Sequence, residues 1–459
     1  MPVGYKWRPI KDLGDDPKSL TDGELDSLKR VWANQKAEMV ELGTLDEFEK
    51  RLRREWSIET GIIEGVYTLD RGVTQTLIEK GIEAALIPHN ATNRDPELVG
   101  RIIQDHYDAL QGMFDLVGGQ RQLSTGYVKE LHAALLRNQE TYTVVDQFAQ
   151  AFEKRLEKGK YKDAPNNPSR QDGSTHEYCP PEHVASEMDQ LLRLHGKHEL
   201  SGVPVEVEAA WLHHRFAQVH PFADGNGRVA RAIASLLFIK AGWFPIVVRR
   251  DDRSRYIEAL ERADAADLRP LIALFVEAQR NALIQASEVA YDVRPITSPH
   301  DAIVAARDRL MQRGKLPLRD WLAAKETADK LHQSAMQRFQ RVAQELQQEI
   351  GSLGTGNAFR AVDNFSETDV HKEAGQALLL LGAGRYDAIG IKFRALGIRF
   401  RGIVGVDPYL FIQSAEPVPL RDGTFLINYE EDLRSAQTRF SAWLDRVIVE
   451  GLNEWRKTL

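Results

Sequence analysis

The chain has 459 residues, of which 42% are hydrophobic and 28% charged, which is typical of a soluble globular protein with two or three domains. A net charge of −7 excludes a generally basic surface, so a nucleic-acid partner is not expected. The single cysteine, Cys179, excludes an internal disulfide framework and fits a reducing compartment. No secretory signal pattern and no apolar run long enough for a bilayer is present, so we expect a cytoplasmic protein with no membrane partner.

Residues 1–70 are predicted to form a helical N-terminal extension. Near its end Thr60 and Glu64 stand four residues apart, so on a helix they share a face. Gly65 is expected to end that helix. The residues alone also allow a simpler interpretation, an exposed carboxylate at a helix terminus.

Apolar periodicity continues from Gly72 to about Glu157 and predicts the core of a helical bundle. The stretch over about 160–181 is not helical, and Asp172-Gly173 between two candidate strands is typical of a β-hairpin. A plain surface loop is the alternative. Cys179 has no evident base beside it and is expected to be a bystander.

A helical run ends near Val219, and a second begins near Gly227. Between them lies His-Pro-Phe-Ala-Asp-Gly-Asn-Gly-Arg, residues 220–228. Gly225 and Gly227 bracket Asn226, and positions without side chains let successive backbone N–H groups converge on an anion. The second helix begins there, and its positive dipole end favours a phosphate.

Charged side chains complete this loop. Arg228 and Arg231 stand three residues apart and can grip phosphate oxygens from neighbouring positions of the helix. Asp224 supplies a hard oxygen ligand for Mg²⁺, and His220 a base that titrates near neutrality. Together they predict transfer of a phosphorus group to a hydroxyl. The alternative is a glycine-rich loop with a structural histidine.

Beyond this loop, Tyr256 could flank a nucleotide base by stacking. Pro295 and Pro299 predict a domain boundary, and residues 296–459 are predicted to form a smaller C-terminal α+β domain of unknown role. Its predicted elements are a long helix over 331–350, strands over 389–406 and 424–429, and a terminal helix over 433–455.

The run at 220–228, with Arg231, resembles the Fic motif, HPF-x-[D/E]-GNGR-x-x-R, at every defined position. The resemblance extends over about residues 55–285. It implies a mainly α fold, a Fic-type helical bundle over 71–295 with a β-hairpin flap at about 160–181 and a catalytic loop at 220–231. The stretch over 60–65 resembles the inhibitory motif of many Fic proteins, [S/T]-x-x-x-E-[G/N].

The resemblance implies a protein adenylyltransferase, which transfers AMP from MgATP to a Ser, Thr or Tyr hydroxyl of a protein substrate. His220 would take the proton of that hydroxyl, and Asp224 would hold Mg²⁺. Glu64 would pair with Arg231, so that ATP binds unproductively until the pair is broken. The implied nucleotide-binding residues are Gly225, Asn226, Gly227, Arg228, Arg231, which would hold the γ-phosphate, and Tyr256.

Other functions stay open at this point. The same scaffold serves transfer of UMP, phosphocholine or phosphate, and removal of AMP; Gly227 argues against the phosphate-transferring branch, which commonly carries lysine there. Ile257 and Asp264 differ from some relatives, which leaves the identity of the base open. A non-catalytic, nucleotide-dependent regulator and a homo-oligomer are further possibilities.

Overall fold

The computed structural model describes residues 5–14, 16–41, 43–119, 122–145, 150–168, 174–292, 318–351, 358–367, 372–382, 385–396, 402–412 and 417–459. The chain divides into two compact units, the first formed by Met1–Gly23 and Asp46–Ala282, the second by Glu24–Leu45 and Leu283–Leu459. The domain limits predicted after residues 70 and 295 stay a prediction, and Pro295 and Pro299 lie outside the described residues.

Helices dominate the part of the chain that the structure describes. They are α1 (Glu24–Glu41), α2 (Leu45–Ile63), α3 (Arg71–Lys80), α4 (Pro96–Gly118), α5 (Thr125–Leu135), α6 (Pro181–Ser201), α7 (Val205–Val219), α8 (Asn226–Lys240), α9 (Arg253–Asp264), α10 (Arg269–Asp292), α11 (Leu318–Glu349) and α12 (Leu433–Arg456). The strands are β1 (Thr141–Val145), β2 (Ala151–Arg155), β3 (Ala358–Glu367), β4 (Lys372–Gly382), β5 (Arg385–Leu396), β6 (Ile403–Ile412), β7 (Val418–Pro419) and β8 (Phe425–Asn428). The predicted fold class, mainly α with a C-terminal α+β region, is confirmed. Among these helices, none is both long and apolar enough to cross a membrane.

Some helices of the first unit begin or end at capping residues of the sequence. Asp95 accepts a hydrogen bond from the backbone N–H of Leu98 at 2.9 Å, and Pro96 occupies the first turn of α4. Ser124 caps α5 in the same way, and α6 ends at Gly202 in the left-handed conformation.

Helices α7 and α8 form the centre of the first unit. Phe216 and Val219 of α7 and Ala230 and Phe238 of α8 are completely buried. Both helices are buried on nearly every side, and each also buries charged residues, Glu206 and Glu208 in α7 and Arg228 and Arg231 in α8. The turn between them is therefore held on a rigid base.

One hairpin was not predicted. The sequence indicates helix up to about residue 157, whereas β1 and β2 pair antiparallel, with Thr141 opposite Arg155 and Val145 opposite Ala151. The β1 sequence, Thr-Tyr-Thr-Val-Val, is rich in β-branched and aromatic residues, which favour a strand over a helix. The flap hairpin was predicted over about 160–181, but its described residues, 160–168 and 174–180, contain no strand, and its predicted turn, Gln171–Gly173, lies outside the described residues. Flanking residues approach each other there, since the His176 N–H donates to the Pro168 carbonyl at 3.1 Å.

The second unit packs helices against an antiparallel sheet of order β3-β4-β5-β6-β7, with β8 also paired to β6. Ile389 of β5 lies opposite Leu378 of β4 and Leu410 of β6, and all three are buried. These three cross-strand neighbours belong to the same hydrophobic core as Phe339 of α11 and Phe440 of α12.

The strands of this sheet were only partly predicted. The expected strand over 389–406 is two strands, β5 and β6, and Gly402 stands before β6 with a φ of +72°, which an extended strand does not allow. The strand over 424–429 corresponds to β8, but β3 and β4 were missed. The β4 sequence contains Leu-Leu-Leu-Leu, whose lack of alternation hides a strand.

The C-terminal end of α2 is tightly built. Gly65 adopts the left-handed conformation, and the Val66 N–H donates to the Gly61 carbonyl at 3.0 Å, which closes the helix. The Tyr67 ring lies directly against Gly61, and its hydroxyl donates to the Ile58 carbonyl at 2.9 Å. This arrangement fixes the chain immediately around Glu64.

Gly61→Ala is therefore expected to destabilise the protein. A Cβ at residue 61 would lie 2.5 Å from the Tyr67 hydroxyl oxygen, and the fully buried ring has no space to retreat. We expect a loss of about 1–3 kcal/mol in the free energy of unfolding, measured in denaturant. Gly112→Ala in α4 is the matched control, because its Cβ meets nothing within 4 Å, and it should gain about 0.5–1 kcal/mol. Equal effects of the two substitutions would contradict the packing argument.

Candidate active site

The loop between α7 and α8 begins at His220, which closes α7. Its backbone N–H donates to the Phe216 carbonyl at 2.9 Å, and its φ of +48° is left-handed. Among the described residues only Ala266 is another non-glycine residue with positive φ. This conformation costs a non-glycine residue on the order of 1 kcal/mol, so the surrounding loop must hold it.

Asn226 fastens the loop through its side chain. Its Oδ1 accepts from the Phe222 N–H at 2.9 Å and its Nδ2 donates to the Phe222 carbonyl at 2.7 Å. Asn166, in the segment predicted as a flap, donates to the same carbonyl at 2.8 Å. The side chain of Asn226 thus shapes the loop, and only its backbone is left for the predicted anion hole.

The two glycines of the motif are required for different reasons. Gly225 is left-handed, with φ +78°, and a Cβ there would lie 2.6 Å from Leu136 Cδ2. Gly227 is in the first turn of α8, and a Cβ there would overlap the carboxylate of Glu64. The N-terminus of α8 is therefore covered by a carboxylate, the kind of group that its dipole attracts.

Arg228 is buried, with only 1% of its surface exposed, and it is incompletely paired. Its NH2 group donates to Gln139 Oε1 at 2.8 Å and to Asp224 Oδ2 at 3.4 Å. Its Nε and NH1 are buried and have no hydrogen-bond partner among the described residues. Burial lowers the pKa of this guanidinium, because desolvation penalises the charged form. An anion that reached these two N–H groups would remove a cost of about 1–3 kcal/mol or more.

Arg231, one turn further along α8, is equally buried but fully engaged. Its NH1 pairs with Glu64 Oε1 at 2.6 Å, which is the contact expected from the sequence. Its Nε and NH2 donate to Thr60 Oγ1 at 3.2 and 2.9 Å, and NH2 also donates to the Thr60 carbonyl at 3.0 Å. Glu64 raises the pKa of Arg231 against the opposing effect of burial.

Asp224 is the carboxylate nearest this cradle. Its Oδ2 accepts from Gln139 Nε2 at 2.6 Å, and its side chain is 38% exposed. Its backbone carbonyl accepts from His132 Nε2 at 3.1 Å. No group of three or more His, Cys, Asp or Glu suited to a metal ion occurs among the described residues. A single carboxylate nevertheless fits Mg²⁺ that arrives already bound to phosphates, because such an ion needs only one or two protein carboxylates.

The His220 ring has a defined tautomer. Its Nδ1 lies 3.1 Å from the Ala217 carbonyl, which can only accept, so Nδ1 carries the hydrogen and Nε2 the lone pair. The ring stacks on Tyr178, with centroids 3.7 Å apart and planes at 5°. Burial, followed by the charge of Lys162, lowers the pKa of His220 to about 3. The ring is neutral at physiological pH.

Several residues of this site were missed from the sequence. Gln139, Lys162 and His132 lie in no motif of the sequence. The Lys162 N–H donates to the Pro221 carbonyl at 2.8 Å, and burial lowers the pKa of its ammonium to about 8. Cys179 is buried, which raises its pKa to about 12 and fits the expected bystander.

Tyr256 is buried rather than open at the surface. A hydrogen bond of 2.8 Å joins its hydroxyl to His213 Nε2, and its ring centroid lies 6.0 Å from the guanidinium carbon of Arg231. The structure thus brings it to the Arg231 side of the site, and its stacking on a base stays a prediction.

Residues 122–238 match the model of the Fic/DOC family, so the chain contains a Fic/DOC domain, as its motif indicated. Among curated proteins, it is similar to "Protein adenylyltransferase Fic" of Drosophila persimilis, at 33% identity over 90 residues, 20% of this chain and 18% of that protein. The protein of the same name from Nematostella vectensis is 42% identical over 69 residues, 15% of this chain and 16% of that protein. The chain therefore spans less than a fifth of the length of these relatives.

Two solved structures are also similar. A Fic domain-containing signaling protein from Bacteroides thetaiotaomicron VPI-5482 has 24% identity and a TM-score of 0.43, covering 60% of this chain and 94% of its own. A Fic family protein from Desulfovibrio desulfuricans G20 has 19% identity and a TM-score of 0.45, covering 65% of this chain and 86% of its own.

The His220 imidazole is expected to stay neutral from about pH 8 to about pH 5, because its folded pKa lies near 3 rather than 6.5. Below about pH 6.5 the unfolded chain takes up a proton at this residue and the folded chain does not, so acid destabilises the fold. The ring ¹⁵N resonances, assigned by their loss in His220→Ala, should show Nδ1 protonated and Nε2 unprotonated across this range. A titration midpoint near pH 6.5 would refute the neutral, half-buried ring.

Proposed function

We propose that this protein is a protein adenylyltransferase, which transfers AMP from MgATP to a side-chain hydroxyl of a Ser, Thr or Tyr residue in a protein substrate. The observation that carries the proposal is the buried Arg228, whose two unpartnered groups face no protein acceptor at the start of α8. The printed names of the curated relatives support AMP as the transferred group.

The phosphates are held by three features of the loop. Successive backbone N–H groups at Gly225, Asn226 and Gly227 begin α8, where its dipole favours an anion. Arg228 supplies the unpartnered N–H donors, and Arg231 serves the γ-phosphate once Glu64 has left it. In this arrangement Tyr256 flanks the base.

Asp224 holds the Mg²⁺ that accompanies ATP. The bound ion supplies neutralisation of phosphate charge, which is the main requirement of such a transfer. Its carboxylate is partly exposed beside the loop and accepts from Gln139 and Arg228, which supports Asp224 as the ligand.

The transfer itself is a displacement at the α-phosphorus. The oxygen of the target hydroxyl forms a bond to that phosphorus, and the bond from the phosphorus to the oxygen bridging the α- and β-phosphates breaks. Pyrophosphate leaves with the electron pair, and His220 Nε2 accepts the hydroxyl proton. The hydrogen bond from Nδ1 to the Ala217 carbonyl keeps the lone pair on Nε2 and stabilises the imidazolium that forms.

Glu64 inhibits this reaction in the resting protein. Its carboxylate occupies the space against Gly227 and pairs with Arg231, so it stands where an anionic phosphate belongs. Thr60 reinforces the pair from the preceding turn of α2. Release of the end of α2 is then the activating step.

The proposal is tested by comparing transfer from labelled ATP, GTP, UTP and CTP to the protein itself and to proteins of a lysate. Wild type and Glu64→Gly are assayed together, since the wild type is inhibited. Preference for ATP, with the label on the α-phosphate retained and that on the γ-phosphate lost, supports AMP transfer. Binding of ATP without transfer from any nucleotide would favour a nucleotide-dependent regulator instead.

His220→Ala is expected to abolish transfer and to leave ATP binding nearly intact. General-base catalysis contributes about 10²–10⁴-fold, so the rate should fall by that factor. The Kd for MgATP should change by less than about threefold, because the imidazole acts on the incoming hydroxyl. Both are measured in the Glu64→Gly background. An unchanged rate would remove His220 from the reaction.

Glu64→Gly is expected to raise self-labelling about tenfold or more, since a charge-assisted hydrogen bond of about 1.5–3 kcal/mol no longer holds Arg231. Glu64→Gln, which keeps the shape but not the charge, should give a smaller increase. Glu47→Gln is the control, because Glu47 lies on the same helix and pairs with Arg51 at 3.1 Å, away from the loop. If Glu64→Gly is no faster than Glu47→Gln, Glu64 is not inhibitory.

A further inference from the structure

Gln139 joins the two charged residues of the loop. It lies between α5 and β1, and both atoms of its amide are used. Its Oε1 accepts from Arg228 NH2 at 2.8 Å, and its Nε2 donates to Asp224 Oδ2 at 2.6 Å. It belongs neither to the loop nor to any motif of the sequence.

The orientation of this amide is determined by chemistry. A guanidinium can only donate, so the atom facing Arg228 must be the oxygen. A carboxylate can only accept, so the atom facing Asp224 must be the nitrogen. One rotamer satisfies both contacts, and each contact involves a charged group, which makes it stronger than an ordinary hydrogen bond.

The amide bonds to both Arg228 and Asp224, which also contact each other directly. These residues stand four apart, and their direct contact is long, at 3.4 Å. Without Gln139 the guanidinium and the carboxylate are free to form a short, bidentate ion pair. That pair would use the N–H groups and the carboxylate oxygens that an anion and a cation need.

The base of the hairpin fixes Gln139 in turn. Its backbone N–H donates to the Leu136 carbonyl at 3.0 Å, and Nε2 also donates to the Thr141 carbonyl at 3.1 Å. The neighbouring Glu140 pairs with Lys158 at 2.8 Å across the hairpin. A side chain held in this way is already placed before a ligand arrives.

We propose that Gln139 is a positioning residue, which holds Asp224 and Arg228 apart in the geometry that Mg²⁺ and phosphate require. This inference rests on the proposed function, because that function assigns Mg²⁺ to Asp224 and phosphate to Arg228. It concerns binding, so it can be tested without the transfer reaction.

The test compares Gln139→Leu with its parent by calorimetric titration of ATP, once with Mg²⁺ and once with EDTA. All proteins carry Glu64→Gly, so that Arg231 is equally available. Loss of a residue that orients a metal ligand costs about 10–100-fold in affinity for the metal. We therefore expect MgATP affinity to fall at least about tenfold, metal-free ATP affinity to fall less, and the gain from Mg²⁺ to shrink.

Gln104→Leu is the matched control. Gln104 Nε2 also donates to an aspartate, Asp108 Oδ1 at 2.7 Å, but on an exposed face of α4. It should leave both affinities within about twofold of the parent. If Gln139→Leu does not melt cooperatively, Gln139→Ala replaces it, because alanine removes the same side-chain hydrogen bonds without a bulky side chain.

Each outcome decides a different question. Undiminished MgATP affinity and an unchanged gain from Mg²⁺ in a folded Gln139 variant overturn the positioning role alone. Binding that depends on Gln139, without any transfer of AMP, supports the positioning role and counts against the proposed activity. Failure of the Glu64→Gly parent to bind ATP overturns both.

Discussion

A buried guanidinium must find partners, and this requirement organises the loop at the start of α8. Arg228 and Arg231 are each only 1% exposed, and desolvation of such a charge is costly unless it is paired. Arg231 is satisfied by Thr60 and Glu64 from the end of α2. Arg228 is satisfied only in part, through Gln139 and a long contact to Asp224. The donors of Arg231 are thus occupied by protein acceptors, whereas two donors of Arg228 are available to a ligand.

The rest of the first unit supplies rigidity to this pair of charges. The buried helices α7 and α8 fix the ends of the loop, and the side chain of Asn226 fixes its middle. His220 is held in a left-handed conformation, with its tautomer set by one carbonyl. Tyr67 and Gly65 fix the end of α2, which brings Glu64 to the same place. Preorganisation of this kind is what charge stabilisation in a phosphoryl-type transfer requires.

Features that depend on residues close together in the chain could be predicted from the sequence, and features that depend on distant residues could not. The local run from His220 to Arg228 predicted a turn between helices, and the spacing of Thr60 and Glu64, with the family resemblance, predicted the contact with Arg231. Gln139 was invisible because nothing in its neighbours indicates that the chain returns to Asp224, 85 residues away. The β1–β2 hairpin was missed because a helical pattern was extended through a β-branched run. In the second unit, the four consecutive leucines of β4 show neither the alternation of a half-buried strand nor the periodicity of an amphipathic helix. The buried strand was therefore not predicted.

The absence of a side chain at Gly227 has a thermodynamic consequence. The carboxylate of Glu64 fills the volume that a Cβ would need, so an anion seated there and a docked α2 exclude each other. Anion binding and docking of α2 are therefore coupled reciprocally. The factor by which undocking of α2 raises the affinity for the anion equals the factor by which the anion shifts the docking equilibrium of α2. The concentration of the anion is thereby an input to the conformation of the helix, and a partner that grips α2 acts on the loop from a distance without touching it.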